Sequence, residues 1–278
     1  MPIISYTPIN EREVKQAMDN GNKSIVFEAQ EIIHLNKRNI FTRNVFVKRF
    51  IGCDQETKVN IAREAEAMGN VKKLTPFAPS FINMIEKDNY VDFVMEKING
   101  VQLEEIINSN NLDTDNRIRL FVKVCRILEV LHKNSIIHRD LKPENIMIQS
   151  STDKYDNIYN LQPYLIDFGT SFLLEMYYIG TYKYKAPELD SRKHDKDITN
   201  KVDIYSLGII LYRLISKKNI DEIFAKRLDK IVIDNYDQKK LENINNLILR
   251  MISEEPNDRP NIKEVIIVLD NITKKWKK

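Results

Sequence analysis

This sequence predicts an α+β fold in two lobes, a small antiparallel sheet with one helix followed by a larger helical lobe. Three observations predict it. Residues 24 to 51 hold two runs rich in β-branched and aromatic side chains around a polar Asn36-Lys37 turn, as a hairpin would. Beyond Gly100 the apolar residues fall into helical spacing. Val202 to Ile215 (VDIYSLGIILYRLI) is apolar nearly all round, the mark of a helix buried on every side.

Taken in order, Ser24 to Leu35 and Asn39 to Ile51 are the expected hairpin strands. Residues 55 to 73 (QETKVNIAREAEAMGNVKK) predict a helix whose apolar stripe is Val59, Ile61, Ala62, Ala65 and Met68. Two further strands are expected at Phe81 to Glu86 and Tyr90 to Met95, followed by a short connection to Gly100. Asp113 or Thr114 caps a long helix through His132, with Ile118, Phe121, Val122, Cys125 and Leu128 facing inward. Gln149 to Gln162 is polar and reads as a loop extending a hairpin, and Asn261 to Ile272 as a closing helix.

A chain of 278 residues can bury a large core, and 42% apolar with 30% charged residues is the balance of a globular protein. A net charge of +3 makes no electrostatic case for a nucleic-acid partner. The basic run Lys274 to Lys278 is short, so it reads as a solvated helix end and not as a membrane anchor. No window approaches a membrane span. Cys53 and Cys125 have no metal-like spacing, and the start lacks the charged-then-apolar pattern of a signal peptide. A cytoplasmic location with two reduced thiols is the expectation.

The chemistry is concentrated in two strings. Residues 138 to 145 read His-Arg-Asp-Leu-Lys-Pro-Glu-Asn, and twenty-two positions after Asn145 comes Asp167-Phe168-Gly169. Together they offer a carboxylate (Asp140) for a hydroxyl proton, a cation (Lys142) for moving negative charge, and oxygens (Asn145, Asp167) for a hard metal ion. Strand alternation puts Phe46 and Lys48 on one face and Val45 and Val47 on the other.

These strings, with Gly180-Thr181-Tyr182-Lys183-Tyr184-Lys185-Ala186-Pro187-Glu188, Asp203 and Arg259, resemble the eukaryotic-type protein kinases over nearly the whole chain. The resemblance implies one kinase domain over 1–278, with an N-lobe to about residue 96, a hinge at 96–100 and a C-lobe from 101. It implies ATP and Mg²⁺ as cofactors. Lys48 would grip the phosphates and Glu64, rather than Glu66, would hold it in place. Asp140 would be the base, Lys142 the charge neutraliser, and Asn145 and Asp167 the metal ligands. Met95, Glu96 and Ile98 would line the purine hinge, with Met147 as its floor. Lys142 and Thr181 imply a Ser/Thr acceptor in a protein substrate; Glu188 and Arg259 imply a buried ion pair. Asp203 would brace the catalytic loop, and control is left to a regulatory protein partner, expression or the activation segment.

The pattern departs in places. Against the family's glycine-rich loop, Asp19 to Val26 retains only Gly21, with Ser24 at another glycine position and Val26 beginning the next strand. Phe46 stands where alanine is usual, so a reshaped purine site with weaker ATP binding is expected. The activation-segment phosphosite falls on Tyr177, and Glu175, or no anion at all, is expected to serve instead. Gln102 and Arg213 replace acidic residues that usually cooperate with Glu144, so no preference for basic substrates is expected. The alternatives are a pseudokinase scaffold, suggested by Gly21 and Phe46, and a small-molecule kinase, disfavoured by Glu188, Arg259 and Thr181.

Overall fold

The computed structural model describes residues 3–19, 23–34, 40–109, 111–152, 158–168, 182–189, 198–219, 221 and 229–274. The chain divides into two compact units, Met1–Asn99 and Gly100–Lys278.

The first unit is an antiparallel sheet in the order β1-β2-β3-β5-β4, made of β1 (Ile3–Pro8), β2 (Ser24–His34), β3 (Ile40–Ile51), β4 (Phe81–Lys87) and β5 (Tyr90–Glu96). The β2–β3 register runs from Ser24 opposite Phe50 to His34 opposite Ile40, which is the expected hairpin. Period-2 alternation sorts its side chains. Ala29, Val45, Val47 and Val94 pack together on one face. Val91 and Phe93 pack on the other against Ile61 and Met68 of α2 (Gln55–Leu74). Asp54 caps α2 by accepting from the Thr57 N–H at 2.8 Å. The buried stripe of α2 is Ile61, Glu64, Ala67, Met68 and Val71, whereas Val59 and Ala62 are exposed. The expected stripe was therefore rotated, because the inward face includes a carboxylate that apolar spacing alone passes over.

Two elements precede β2 without having been expected, β1 and α1 (Glu11–Asp19). β1 pairs with β2 from Ile3 opposite His34 to Pro8 opposite Ala29, so Ser24–Glu28 runs on beyond it. Helix α1 lies along that extension with Val14 buried, covering an edge that would otherwise present open backbone groups. The connection between these strands thus contains a helix, and Asp19, expected to open a phosphate-binding loop, ends it. Gly21 lies outside the described residues.

The second unit begins with β6 (Val101–Gln102) and α3 (Leu103–Asn108), and continues with α4 (Thr114–Lys133), β7 (Ile146–Thr152) and β8 (Ile158–Leu165). Helices α5 (Lys201–Ser216), α6 (Gln238–Met251) and α7 (Ile262–Thr273) complete it. Of the stretch expected as a loop, 149–152 and 158–162 are strand, with Gln149 paired to Gln162 and Thr152 to Ile158, and 153–157 lie outside the described residues. Its polar side chains join the ladder, as where the Tyr164 hydroxyl donates to Gln149 Oε1 at 3.1 Å. Asp113 caps α4, and Ile118, Phe121, Cys125 and Leu128 are fully buried. Asn261 caps α7 with a reciprocal Glu264 bond. Cys53 and Cys125 are free thiols, and burial pushes the Cys125 thiol far above its ordinary range.

Helix α5 is the axis of this unit, buried on nearly every side as its composition predicts. At Gly208 an added Cβ would sit 2.7 Å from Ile252 Cγ2 and 2.9 Å from Met251 Cβ, so glycine permits the close approach at the end of α6. Arg117 is buried and donates to the carbonyls of Ile107 and Leu214 at 3.3 and 3.0 Å. It also donates to the Ser109 carbonyl, so one cation caps the C-terminal ends of α3 and α5.

The buried pair expected between Glu188 and Arg259 is present and bidentate, at 2.6 and 2.8 Å. The remaining guanidinium donors reach the carbonyls of Ser253, Lys201 and Glu254. Arg259→Met is expected to cost about 3–5 kcal/mol by leaving a buried carboxylate alone. The double variant with Glu188→Leu should recover much of that, measured by chemical denaturation with Arg259→Met as the reference.

Candidate active site

In the first unit, β3 carries Lys48 on the face that looks toward α2, because Val45 and Val47 occupy the opposite one. Lys48 Nζ donates to Glu64 Oε1 at 3.3 Å, and only 7% of the Glu64 side chain is exposed. Glu66 is exposed, so the helix register chooses Glu64 as expected.

Phe46 shares the Lys48 face, opposite Met95 on β5 and Glu28 on β2. Lys97 Nζ lies 5.9 Å from the Phe46 ring centroid and donates to Glu28 Oε2 at 2.7 Å. A charged pair over an aromatic ring therefore occupies the edge where the purine roof was expected, and neither Glu28 nor Lys97 was singled out in the sequence. Glu96 donates its N–H to the Ser80 carbonyl, while its side chain accepts from Ser80 and Lys72. Ile98 is buried, Val26 is exposed and opposite Lys48, and Ser24 opens β2.

In the second unit, Asp140, Lys142 and Asn145 form one hydrogen-bonded group. Lys142 Nζ donates to Asp140 Oδ2 at 3.0 Å. Asn145 Nδ2 donates to the Asp140 carbonyl at 2.8 Å and to Oδ2 at 3.0 Å, which leaves the amide oxygen facing away. The Pro143–Asn145 turn sets this spacing, and α3 packs on it. Asp167 is attached to the same group through its neighbour, whose Ile166 N–H donates to the Asn145 carbonyl at 3.0 Å. Two non-glycine residues in the left-handed region flank the group, Arg139 (φ 67°) and Asp167 (φ 62°). Such backbone persists only when its surroundings hold it.

What holds Arg139 is Asp203 on α5. Its carboxylate is fully buried and accepts from the His138 and Arg139 N–H groups at 2.9 Å each. The His132 Nε2 lies 2.8 Å from the same carboxylate. Burial pushes the Asp203 carboxyl up, but the His132 bond, the charge of both histidines and the His138 N–H outweigh it, so its pKa lies below the ordinary value. His138, also buried, stacks against Phe168 with ring centroids 5.0 Å apart.

Asn145 and Asp167 supply the hard oxygen donors that Mg²⁺ prefers. Among the described residues no cluster of three His, Cys, Asp or Glu side chains stands ready for a metal, so such an ion would share its coordination with a bound ligand or water. Met147 lies on β7 beside Gln102 of β6. Thr181, Gly169, Gly180, Tyr177 and Glu175 lie outside the described residues.

A sheet unit with a lysine–glutamate pair, and a helical unit with the Asp140–Lys142–Asn145 group, define the two-lobed kinase class. The chain belongs to the protein kinase domain family, which it matches over residues 12–268. It is 30% identical over 234 residues, 80% of its length, to a probable serine/threonine-protein kinase 2 of Plasmodium falciparum. It is 27% identical over 283 aligned positions, 95% of its length, to a probable serine/threonine-protein kinase of Clostridium perfringens. It is also 31% identical over 68% of its length to sperm motility kinase 1 of the mouse. The chain spans 44%, 38% and 39% of those three relatives. No helix among the described residues is long and apolar enough to cross a membrane.

Because the Asp203 pKa is depressed in the fold, its contribution to stability is complete above the ordinary carboxylate value of about 3.9 and is lost as pH falls through the lower folded value. The stability gap between wild type and Asp203→Asn should shrink as pH falls below about 4. Urea unfolding at stepped pH measures it.

Proposed function

We propose that this chain is an active protein serine/threonine kinase that transfers the ATP γ-phosphate to hydroxyls of protein substrates with Mg²⁺. The observation that carries the reading is the Asp140–Lys142–Asn145 hydrogen-bonded group, with both side-chain donors converging on the Asp140 carboxylate. Asp140 would orient the acceptor hydroxyl and take its proton. Lys142, two residues away on the same loop, would stabilise negative charge at the acceptor end. Asn145 and Asp167 would hold Mg²⁺, which supplies charge neutralisation for the phosphates when bound. Lys48, fixed by Glu64, would set the phosphate position. The Ser/Thr preference rests on Lys142, on Thr181 and on the names of the relatives.

Phe46 under the Lys97–Glu28 pair, and a helix in the β1–β2 connection, favour a second reading, a pseudokinase scaffold with little nucleotide affinity. Activity would then be absent while the fold persists. A cytoplasmic location and control by a protein partner accompany the first reading.

Asp140→Asn is expected to lower transfer of labelled phosphate to casein by about 10²- to 10⁴-fold with nucleotide binding unchanged. Equal, background transfer by both proteins would favour the scaffold. Phe46→Ala should tighten ATP binding by roughly tenfold, the low end of what a one-methylene misfit does in an apolar pocket. Titration calorimetry measures it, and unchanged tight binding would remove Phe46 from the purine site.

A further inference from the structure

In the sequence, Arg213 stands where the kinase family usually has an acidic residue. In the fold it is a buried cation with all of its charge committed. Its side chain, on α5, is 5% exposed. Nη1 and Nη2 donate to the two Glu104 carboxylate oxygens at 2.6 and 2.9 Å, a bidentate pair with α3. Nη1 also donates to the Tyr184 hydroxyl at 2.5 Å, and Nε reaches the Lys218 carbonyl at 3.4 Å. The Arg213 hydrogen bond holds the Glu104 carboxyl below its usual range, so the pair is ionised.

Tyr184 belongs to the Tyr182–Tyr184 turn just before Ala186-Pro187-Glu188. It is held at both ends. The Ser206 hydroxyl, also on α5, donates to its carbonyl at 2.7 Å while Arg213 holds its phenol oxygen. Burial raises the phenol's pKa far above its ordinary value, so it stays neutral. Asp203, Ser206 and Arg213 are spaced three and seven residues apart, which places them along one stripe of α5. The helix thereby grips the His138–Arg139 backbone at one level and this turn at the next two. Through Glu104 the same guanidinium ties the turn to α3, which packs on the Pro143–Asn145 turn of the catalytic group.

We propose that Arg213, locked to Glu104, is a positioning residue that fixes the 182–184 turn as the seat for the protein substrate, the pair itself adding no net charge to that seat. This rests on the kinase reading, in which the Gly180-to-Glu188 string resembles the substrate-binding end of the family's activation segment. A structural brace alone would alter stability. A positioning role alters the fit of the protein substrate and leaves the nucleotide untouched.

The test uses the full chain with dephosphorylated casein and ATP–Mg²⁺, and compares wild type, Tyr184→Phe, Arg213→Lys, Glu104→Gln and the exchanged pair Glu104→Arg/Arg213→Glu. Tyr184→Phe deletes one charge-assisted hydrogen bond without changing shape, and is expected to raise the casein KM about tenfold with the ATP KM unchanged. Arg213→Lys keeps the charge but loses the fork, and Glu104→Gln loses the ion pair; both should raise the casein KM further. The exchanged pair should recover part of the loss. Hydrogen exchange read by mass spectrometry, without any transfer, should show faster exchange in Tyr184→Phe confined to residues 182–189. Unchanged exchange there, or casein and ATP KM values rising together with a fall in Tm, would overturn the proposal. A wild type that transfers nothing while the exchange effect holds refutes the kinase reading and leaves the clamp standing.

Discussion

Asp203 carries its charge inside the protein, fully shielded from water, on a helix that is apolar almost all round. Removing a carboxylate from water costs several kcal/mol unless fixed donors replace its hydration. The donors here are two consecutive backbone N–H groups and the His132 ring. The chain leaves this pair of N–H groups through Arg139, whose left-handed backbone turns it toward Asp140. Asp140 follows directly, so the orientation of its carboxylate is inherited from the need to satisfy a buried charge one helix away. The Lys142 and Asn145 bonds refine a position that α5 has already imposed.

Much of this was legible in the sequence, for identifiable reasons. The core helices announced themselves, α4 by its apolar periodicity and the Asp113 cap, α5 by a run that is apolar nearly all round. The Lys48–Glu64 and Glu188–Arg259 pairs and the Asp140–Asn145 contact were legible because their residues sit in short strings that resemble the kinase family's or at a strand's proper parity. The β7–β8 hairpin is the expected one, but its strands run further than composition indicates, because cross-strand pairing tolerates polar side chains. Helix α6 escaped because Asn and Lys dilute its stripe, although Asp237 caps it as plainly as Asp113 caps α4.

The least legible features are those that join residues distant in the chain. Glu104 and Arg213 are 109 positions apart, and nothing local to either indicates that they form a bidentate pair. Lys97 and Glu28 are 69 apart and meet over Phe46 only because β2, β3 and β5 are neighbours in the sheet. In each case a residue that looked like a departure from a pattern proved to have a complementary partner elsewhere. Substitution at such a site is half of a change, and reading one half alone assigns it the wrong meaning.

The helix in the β1–β2 connection alters how this corner of the sheet comes apart. In the ladder β1 pairs with a single strand, and fifteen residues, 9 to 23, separate it from β2. Each doubling of loop length adds about 0.6 kcal/mol to the entropy of bringing strand ends together, so the pairing is dearer to close than a tight hairpin's. Tyr6 of β1 accepts from Asn83 of β4 at 3.4 Å and packs on Ala29, Val45, Val47 and Val94, so β1 and α1 open sub-globally only with the loss of those contacts as well. The lysine–glutamate pair lies on β3 and α2, outside the pairing that such opening breaks.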